Sequence, residues 1–297
     1  MLLAIFLAIP GPLFMLRAFL VLCIATCCWQ IAAAHAEACS AIDFMAMPLP
    51  QTGHPPEIEA LLAAYPDLLL SADGTAISVE GSSWLPLGTR REIRAQQALV
   101  APTPMDQFLQ TYPLGTAPVA MQQRKAPFFD PGRFRNGRFF ALLWFTSEAV
   151  ARESLVRVDF AGLSEAAVMV TARRGVACQL RAAVARLEGR PSEVLTAAFH
   201  APGGGFNWRR IGGTDRLSAH SYGIAVDLNA ELGGYWRWSG AEEGQVGAYD
   251  TRIPLQVVDA FETYGFIWGG KWHHFDGMHF EYRPELILHA RIAANMR

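Results

Sequence analysis

The chain has 297 residues, 52% of them hydrophobic, and a formal net charge of −2. That length and apolar content can bury a substantial core, as one large domain or two smaller ones. So small a net charge, with no basic run, argues against nucleic acid as a partner. The first 36 residues differ from the rest: they hold no acidic residue and one basic residue, Arg17. After Arg17 the apolar run AFLVLCIATCCWQIAAA leads into Ala34-His35-Ala36, the small-x-small pattern of a signal-peptidase site. Residues 1–36 are therefore expected to be a signal peptide cut before Glu37, with Met1 or Met15 as the true start. The mature chain is expected to be exported, to the periplasm or cell wall, and to keep no membrane span. The alternative is an uncleaved anchor. Export changes how the five cysteines read. Cys23, Cys27 and Cys28 leave with the signal, and Cys39 and Cys178 either pair in an oxidising compartment or stay as two thiols.

Residues 37–153 are expected to form an N-terminal extension to a domain over 154–297. In the extension, EIEALLAAY (57–65) has a helical pattern, and Asp73-Gly74 between LLLS and TAISV reads as a hairpin turn. FFDPGRFRNGRFFALLW (128–144) interleaves arginines with aromatics. It is either core, with arginine stems lying over it, or a carbohydrate or nucleic-acid surface. From about 154 the pattern becomes regular. LVRVDF and AVMVTA alternate as strands, and CQLRAAVARLEG is an amphipathic helix with Leu180, Val184 and Leu187 on one face. VLTAAF (194–199) reads as a buried strand. IPLQVVDAFETYG is a second helix, with Pro254 in its first turn and Gly265 at its C-terminal cap, and FIWGG follows as a strand. Irregular alternation with hairpin-like neighbours predicts an α+β fold built on a mainly antiparallel sheet flanked by helices.

Two short stretches carry the chemistry. In SAHSYGIAVDLN, Ile224, Val226 and Leu228 alternate with Gly223, Ala225, Asp227 and Asn229, which is strand periodicity. One face is apolar; the other carries small residues beside a carboxylate. His220 precedes the strand in a loop that can fold back over that cleared face. In DGMHFE, His279 and Glu281 share a strand face, while Gly277 displaces Asp276 into the preceding turn. Two histidines and an aspartate (His220, Asp227, His279) suit Zn²⁺, one ion per chain, and three protein ligands leave a position for water. Asp276 is then placed to act as general base, and Glu281 to support His279 from behind.

SAHSYGIAVDLN with WHHFDGMHFEYRP resembles the D-alanyl-D-alanine carboxypeptidase-type zinc metallopeptidases, which include phage endolysins and vancomycin-resistance peptidases. RRIGGTDRLSAHSYG, FIWGGKW and DPGRFR are similar to a bacterial branch, and the close match covers about 194–284. The resemblance implies an α+β fold shared with the hedgehog signalling domain. It implies His220, Asp227 and His279 as zinc ligands and Asp276 as the catalytic base. Arg209 and Ser218 match positions that contact substrate; Arg216 is the second choice for a carboxylate clamp, and His274 a candidate for stabilising an oxyanion. The implied substrate is the stem peptide of peptidoglycan, cut as a D,D-carboxypeptidase or an L-Ala-D-Glu endopeptidase cuts it. The competing expectation is a non-catalytic, zinc-containing cell-wall binding module of the same fold. A zinc amidase or deacetylase would need differently spaced ligands.

Overall fold

The computed structural model describes residues 40–89, 91, 95–189, 192–212 and 214–296. The expected signal segment and Cys39 lie outside these residues. Cys178 is disulfide-bonded, and the other four cysteines of the chain all precede residue 40. Among the described residues, no helix is long and apolar enough to cross a membrane.

The architecture is α+β, with three antiparallel sheets. A small N-terminal sheet joins β1 (Leu69–Leu70), β2 (Ala76–Ser78) and β3 (Leu85–Pro86). Its first turn is at Asp73-Gly74, where Gly74 has φ +70° and Asp73 Oδ1 accepts from Ser71 Oγ and Thr75 N at 2.6 and 3.1 Å. Strands β4 (Leu155–Asp159) and β5 (Ala167–Thr171) form a hairpin. The third sheet contains β6 (Pro202–Gly204), β7 (Ala225–Asn229), β8 (Phe266–Trp268) and β9 (His279–Tyr282), in the order β6-β7-β9-β8. The main helices are α1 (Pro56–Ala64), α2 (Gly137–Leu143), α3 (Val176–Glu188), α4 (Glu193–Phe199), α5 (Leu255–Thr263) and α6 (Pro284–Asn295).

Helix α4 corrects the strand expected over 194–199. Ser192 Oγ caps it by accepting from Leu195 N at 3.2 Å, and Glu193 sits in the first turn. Leu195, Ala198 and Phe199 are buried while Val194 is exposed. That i, i+3, i+4 spacing belongs to one helix face, so cap and period together outweigh the β-like apolar run.

The apolar faces of β7 and β9 make the core beneath the site. Ile224, Val226, Leu228, Phe280 and Tyr282 are buried, and Phe280 packs on Phe261 of α5 with ring centroids 4.4 Å apart. Burying each such side chain is worth about 1.5–3 kcal/mol.

Residues Ala41–Arg297 form one compact unit, so the segment before 154 shares its core with the rest. Helix α1 packs on α6, and Tyr65 Oη donates to Glu285 Oε2 at 2.6 Å. Phe134, Phe139, Phe140 and Trp144 are buried, so the aromatics of 128–144 are core. Lys271 ties the early chain to the later loops, donating to the carbonyls of Pro113 and Gly115 at 2.8 and 2.7 Å and pairing with Glu262.

Arg283 has 1% side-chain exposure and lies between two buried carboxylates. It donates to Glu285 Oε1 at 2.5 Å, Glu281 Oε1 at 2.9 Å, Gly132 O at 3.0 Å and Gln107 Oε1 at 2.6 Å. Arg283→Leu would leave Glu285 without its arginine and Glu281 with Arg135 alone, and is expected to cost about 3–5 kcal/mol. Urea unfolding checks this, and a loss under 1 kcal/mol would mean that the network adds little.

Candidate active site

The register of β7 against β9 places Asp227 directly opposite His279, and Ala225 opposite Glu281. Directly opposed residues of an antiparallel pair project to the same face with their Cβ atoms about 5 Å apart. Ala225 leaves room for Glu281 beneath His279. His220 arrives from a short 3-10 turn, Ala219–Tyr222, which Ser218 caps and Gly223 ends in the left-handed conformation at φ +65°. A Cβ on Gly223 would lie 2.9 Å from Thr171 N, so the turn needs glycine here for space as well as for φ.

The three side chains converge tightly. His220 Nε2 is 3.2 Å from Asp227 Oδ1 and 3.2 Å from His279 Nδ1, and His279 Nδ1 is 2.9 Å from Asp227 Oδ1. A tetrahedral centre with bonds of about 2.0 Å has ligand-to-ligand edges of about 3.3 Å, so the cluster matches the shape that such an ion needs. The outer nitrogens settle which lone pairs are free. His220 Nδ1 donates to Gly205 O at 2.5 Å, leaving Nε2 bare. His279 Nε2 lies 3.2 Å from Glu281 Oε2, so a proton held there leaves Nδ1 bare. Glu281 in turn is fixed by both nitrogen arms of Arg135 and by Arg283. Burial would raise the Glu281 pKa, but Arg135, His279 and Arg283 hold it well below the usual range.

For His279, burial disfavours the charged ring, yet its bonds to Asp227 and Glu281 raise its pKa to about 10. Burial likewise pushes Asp227 up, but the two histidines overcome this and hold it well below the carboxylate range. His220, Asp227 and His279 form a group that could hold a metal ion. Donor types, spacing and tautomers all fit a zinc ion.

Asp276 stands apart from the cluster. Its backbone is pinned, donating to Gly269 O at 3.1 Å and accepting from His279 N at 3.2 Å, and it bridges to Tyr235 across an antiparallel contact. Gly277 follows in a space with no room for a side chain, since a Cβ would sit 1.9 Å from Gly233 O. Asp276 Oδ1 is enclosed and has no hydrogen-bond partner. Burial, reinforced by the charge of Asp227, raises its pKa to about 6 against the pull of His279 and His220. A carboxylate kept unsatisfied beside a cation site is a pattern of functional sites.

Residues 212–282 match the family model described as D-alanyl-D-alanine carboxypeptidase, a stretch that contains His220, Asp227, Asp276 and His279. Over that stretch the chain is similar to this family of peptidases. No curated protein and no solved structure matches it.

The His220–Asp227–His279 cluster lies in a cavity of about 300 Å³ lined by both arginines and aromatic residues. Its arginines are Arg133, Arg135, Arg209 and Arg216, and its aromatic residues include Tyr235, Trp236, Trp238 and Trp272. Arg135 is neutralised by Glu281, and Arg133 lies 3.3 Å from Asp130. Arg216 reaches only Arg133 O, at 3.4 Å. Burial and the nearby Arg135 and Arg133 lower its pKa to about 10. Arg209 and Ser218 also line the cavity, but the Ser218 hydroxyl is used as the turn cap, accepting from His220 N at 3.4 Å.

His274 is also on the wall. Its Nδ1 lies 2.6 Å from Asp130 Oδ2, and its Nε2 accepts from Gly244 N at 2.9 Å. In this arrangement it presents no N–H to the cavity, contrary to the expectation for an oxyanion donor. Asp130 and Arg135 also belong to the site: both lie in DPGRFR, and they hold His274 and Glu281, contacts that no local pattern in the sequence encodes.

The Asp276 pKa predicts a stability difference opposite in sign to the usual carboxylate case. A folded-state pKa raised from 3.8 to about 6 means that the charged group destabilises the fold above pH 6 and not below pH 4. Metal-free Asp276→Asn should therefore be more stable than the parent at pH 7.5, by roughly 1–3 kcal/mol. The difference should close by pH 4. Denaturation at both pH values checks it, and equal stability at pH 7.5 would contradict the raised value.

Proposed function

We propose that this peptidase is an exported, zinc-dependent hydrolase of the stem peptides of bacterial peptidoglycan, with Asp276 as general base. One observation carries the reading: a three-ligand N,N,O cluster with an enclosed, unpartnered carboxylate in the turn beside it. A purely binding or structural zinc site has no use for that fourth group, which costs stability where it stands. The apolar N-terminal segment and the bonded Cys178 support export, because this substrate lies outside the cytoplasm.

His220 Nε2, Asp227 and His279 Nδ1 would hold the ion, which when bound supplies Lewis acidity and a more acidic water. Asp276 takes the proton of the attacking water and returns it to the leaving amine as the C–N bond breaks. With a pKa near 6 it is ionised at neutral pH, yet basic enough to accept that proton. Arg216 supplies a guanidinium with no carboxylate partner among the described residues, and holds a substrate carboxylate. Both D-Ala–D-Ala and L-Ala–D-Glu bonds present a free carboxylate beside the scissile bond. Glu281 and Gly205 O keep the two imidazoles in the tautomers that face the ion.

Two variant sets test this. His220→Ala and His279→Ala should lose both metal and activity, whereas Asp276→Asn should keep zinc and lose about 10²–10⁴-fold in kcat. Metal analysis on the assayed preparations separates ligand from base, and a zinc-loaded, active Asp276→Asn protein would refute the mechanism. Arg216→Ala should retain zinc and lose roughly ten- to a hundredfold in kcat/KM on carboxylate-bearing peptides. An unchanged value would move the clamp to Arg209.

A further inference from the structure

The aromatic lining of the cavity has a part that peptide chemistry leaves uncovered. Tyr235, Trp236 and Trp238 fall within four residues, and all three line the cavity that holds Asp276. Trp236 is buried, but Trp238 remains 63% exposed. Its backbone is nevertheless held in place. It sits in a 3-10 turn, Trp236–Ser239, closed by Gly240 at φ +73°. Trp236 N donates to Phe275 O at 3.0 Å, and Tyr235 bridges to Asp276, so the turn is tied to the segment that carries Asp276. Tyr235 meets Trp238 edge-on at 6.0 Å. Arg237 lies over Trp236 at 4.9 Å, with Glu243 3.8 Å from its guanidinium.

The result is a largely exposed indole lining the cavity that holds Asp276, with the Arg237–Glu243 pair carried on the same loop. A single exposed aromatic needs no explanation by itself, but this one lines the cavity that holds His220, Asp227, His279 and Asp276, where an indole face offers a surface for stacking. The alanine methyls of a stem peptide are too small to cover it. A pyranose ring has the complementary form: a flat C–H face for the indole, and equatorial hydroxyls at its edge for groups such as Arg237 and Glu243.

We infer that Trp238, with Tyr235 behind it, is a sugar-binding platform that takes a glycan ring of the substrate, so that the peptidase prefers stem peptides still attached to their saccharide. This rests on the peptidoglycan reading and specifies it. Peptide cleavage takes place at the cluster while the attached sugar is held at the rim. No bond to the glycan is broken.

The test compares one stem pentapeptide, free and attached to its N-acetylglucosaminyl–N-acetylmuramic acid disaccharide. Trp238→Ala should lower kcat/KM on the disaccharide-linked peptide about tenfold, mainly through KM, and leave the free peptide within about twofold. Trp238→Phe should restore most of the loss. An equal loss on both substrates would assign Trp238 to the peptide or to folding, and no loss on either would remove it from recognition; both overturn the inference. A calorimetric titration with the peptide-free disaccharide provides an arm independent of catalysis. Binding by the parent and not by Trp238→Ala supports the platform even if neither peptide is cut, in which case it is the peptidase reading that fails. A parent protein that cuts the peptides but does not bind the disaccharide overturns the platform alone.

Discussion

The pairing of Asp227 with His279 across β7 and β9 is the constraint on which the rest of the site depends. Because side chains alternate along a strand, a slip of one residue would turn both ligands into the core and bring Val226 and Phe280 to the surface. The buried apolar face formed by Ile224, Val226, Leu228 and Phe280 makes that slip costly. The hydrophobic effect therefore sets the register, and the register brings Asp227 and His279 together. His220 then needs only a short capped turn to complete the cluster.

Behind the ligands, charge alternates inward. His279 leans on Glu281, Glu281 on Arg135 and Arg283, and Arg283 on Glu285, which takes a proton donor from Tyr65 near the start of the described chain. Each buried ion is compensated by the next, which lets so many charges leave water together. The segment before 154 is part of this arrangement: Arg135 and Asp130 come from it, and they orient His279 (through Glu281) and His274. Asp276 is the exception, an unpartnered acid left at the end of an otherwise balanced network. Local instability at that point, supported by the surrounding structure, is a pattern of functional sites.

Much of this was legible in the sequence wherever period and chemistry agreed. The alternation in YGIAVDLN placed Asp227 on a cleared strand face, and Gly277 marked the turn that sets Asp276 apart. The small residues around Asp227 also have a steric reason, since a Cβ on Gly203 would come within 3.0 Å of Asp227 Cβ. Other features depended on distant pairing. VLTAAF has a β-like composition, and only the Ser192 cap and the burial of Leu195, Ala198 and Phe199 show it to be a helix. Arg135 meets Glu281 across a separation of 146 residues, and no local pattern encodes that contact. Nor could the sequence tell that the Nε2 of His274 would be occupied by Gly244 of the loop after the Trp236–Ser239 turn.

The central claim is that His220 Nε2, Asp227 and His279 Nδ1 together hold one catalytic zinc ion. Anomalous diffraction at the zinc edge, from crystals of the purified protein, tests it most directly. The account predicts a single strong peak about 2.0 Å from those three atoms and from no other protein atom, with Asp276 outside the bonding distance. A peak centred elsewhere, or one bonded to Asp276 in place of Asp227, would contradict it.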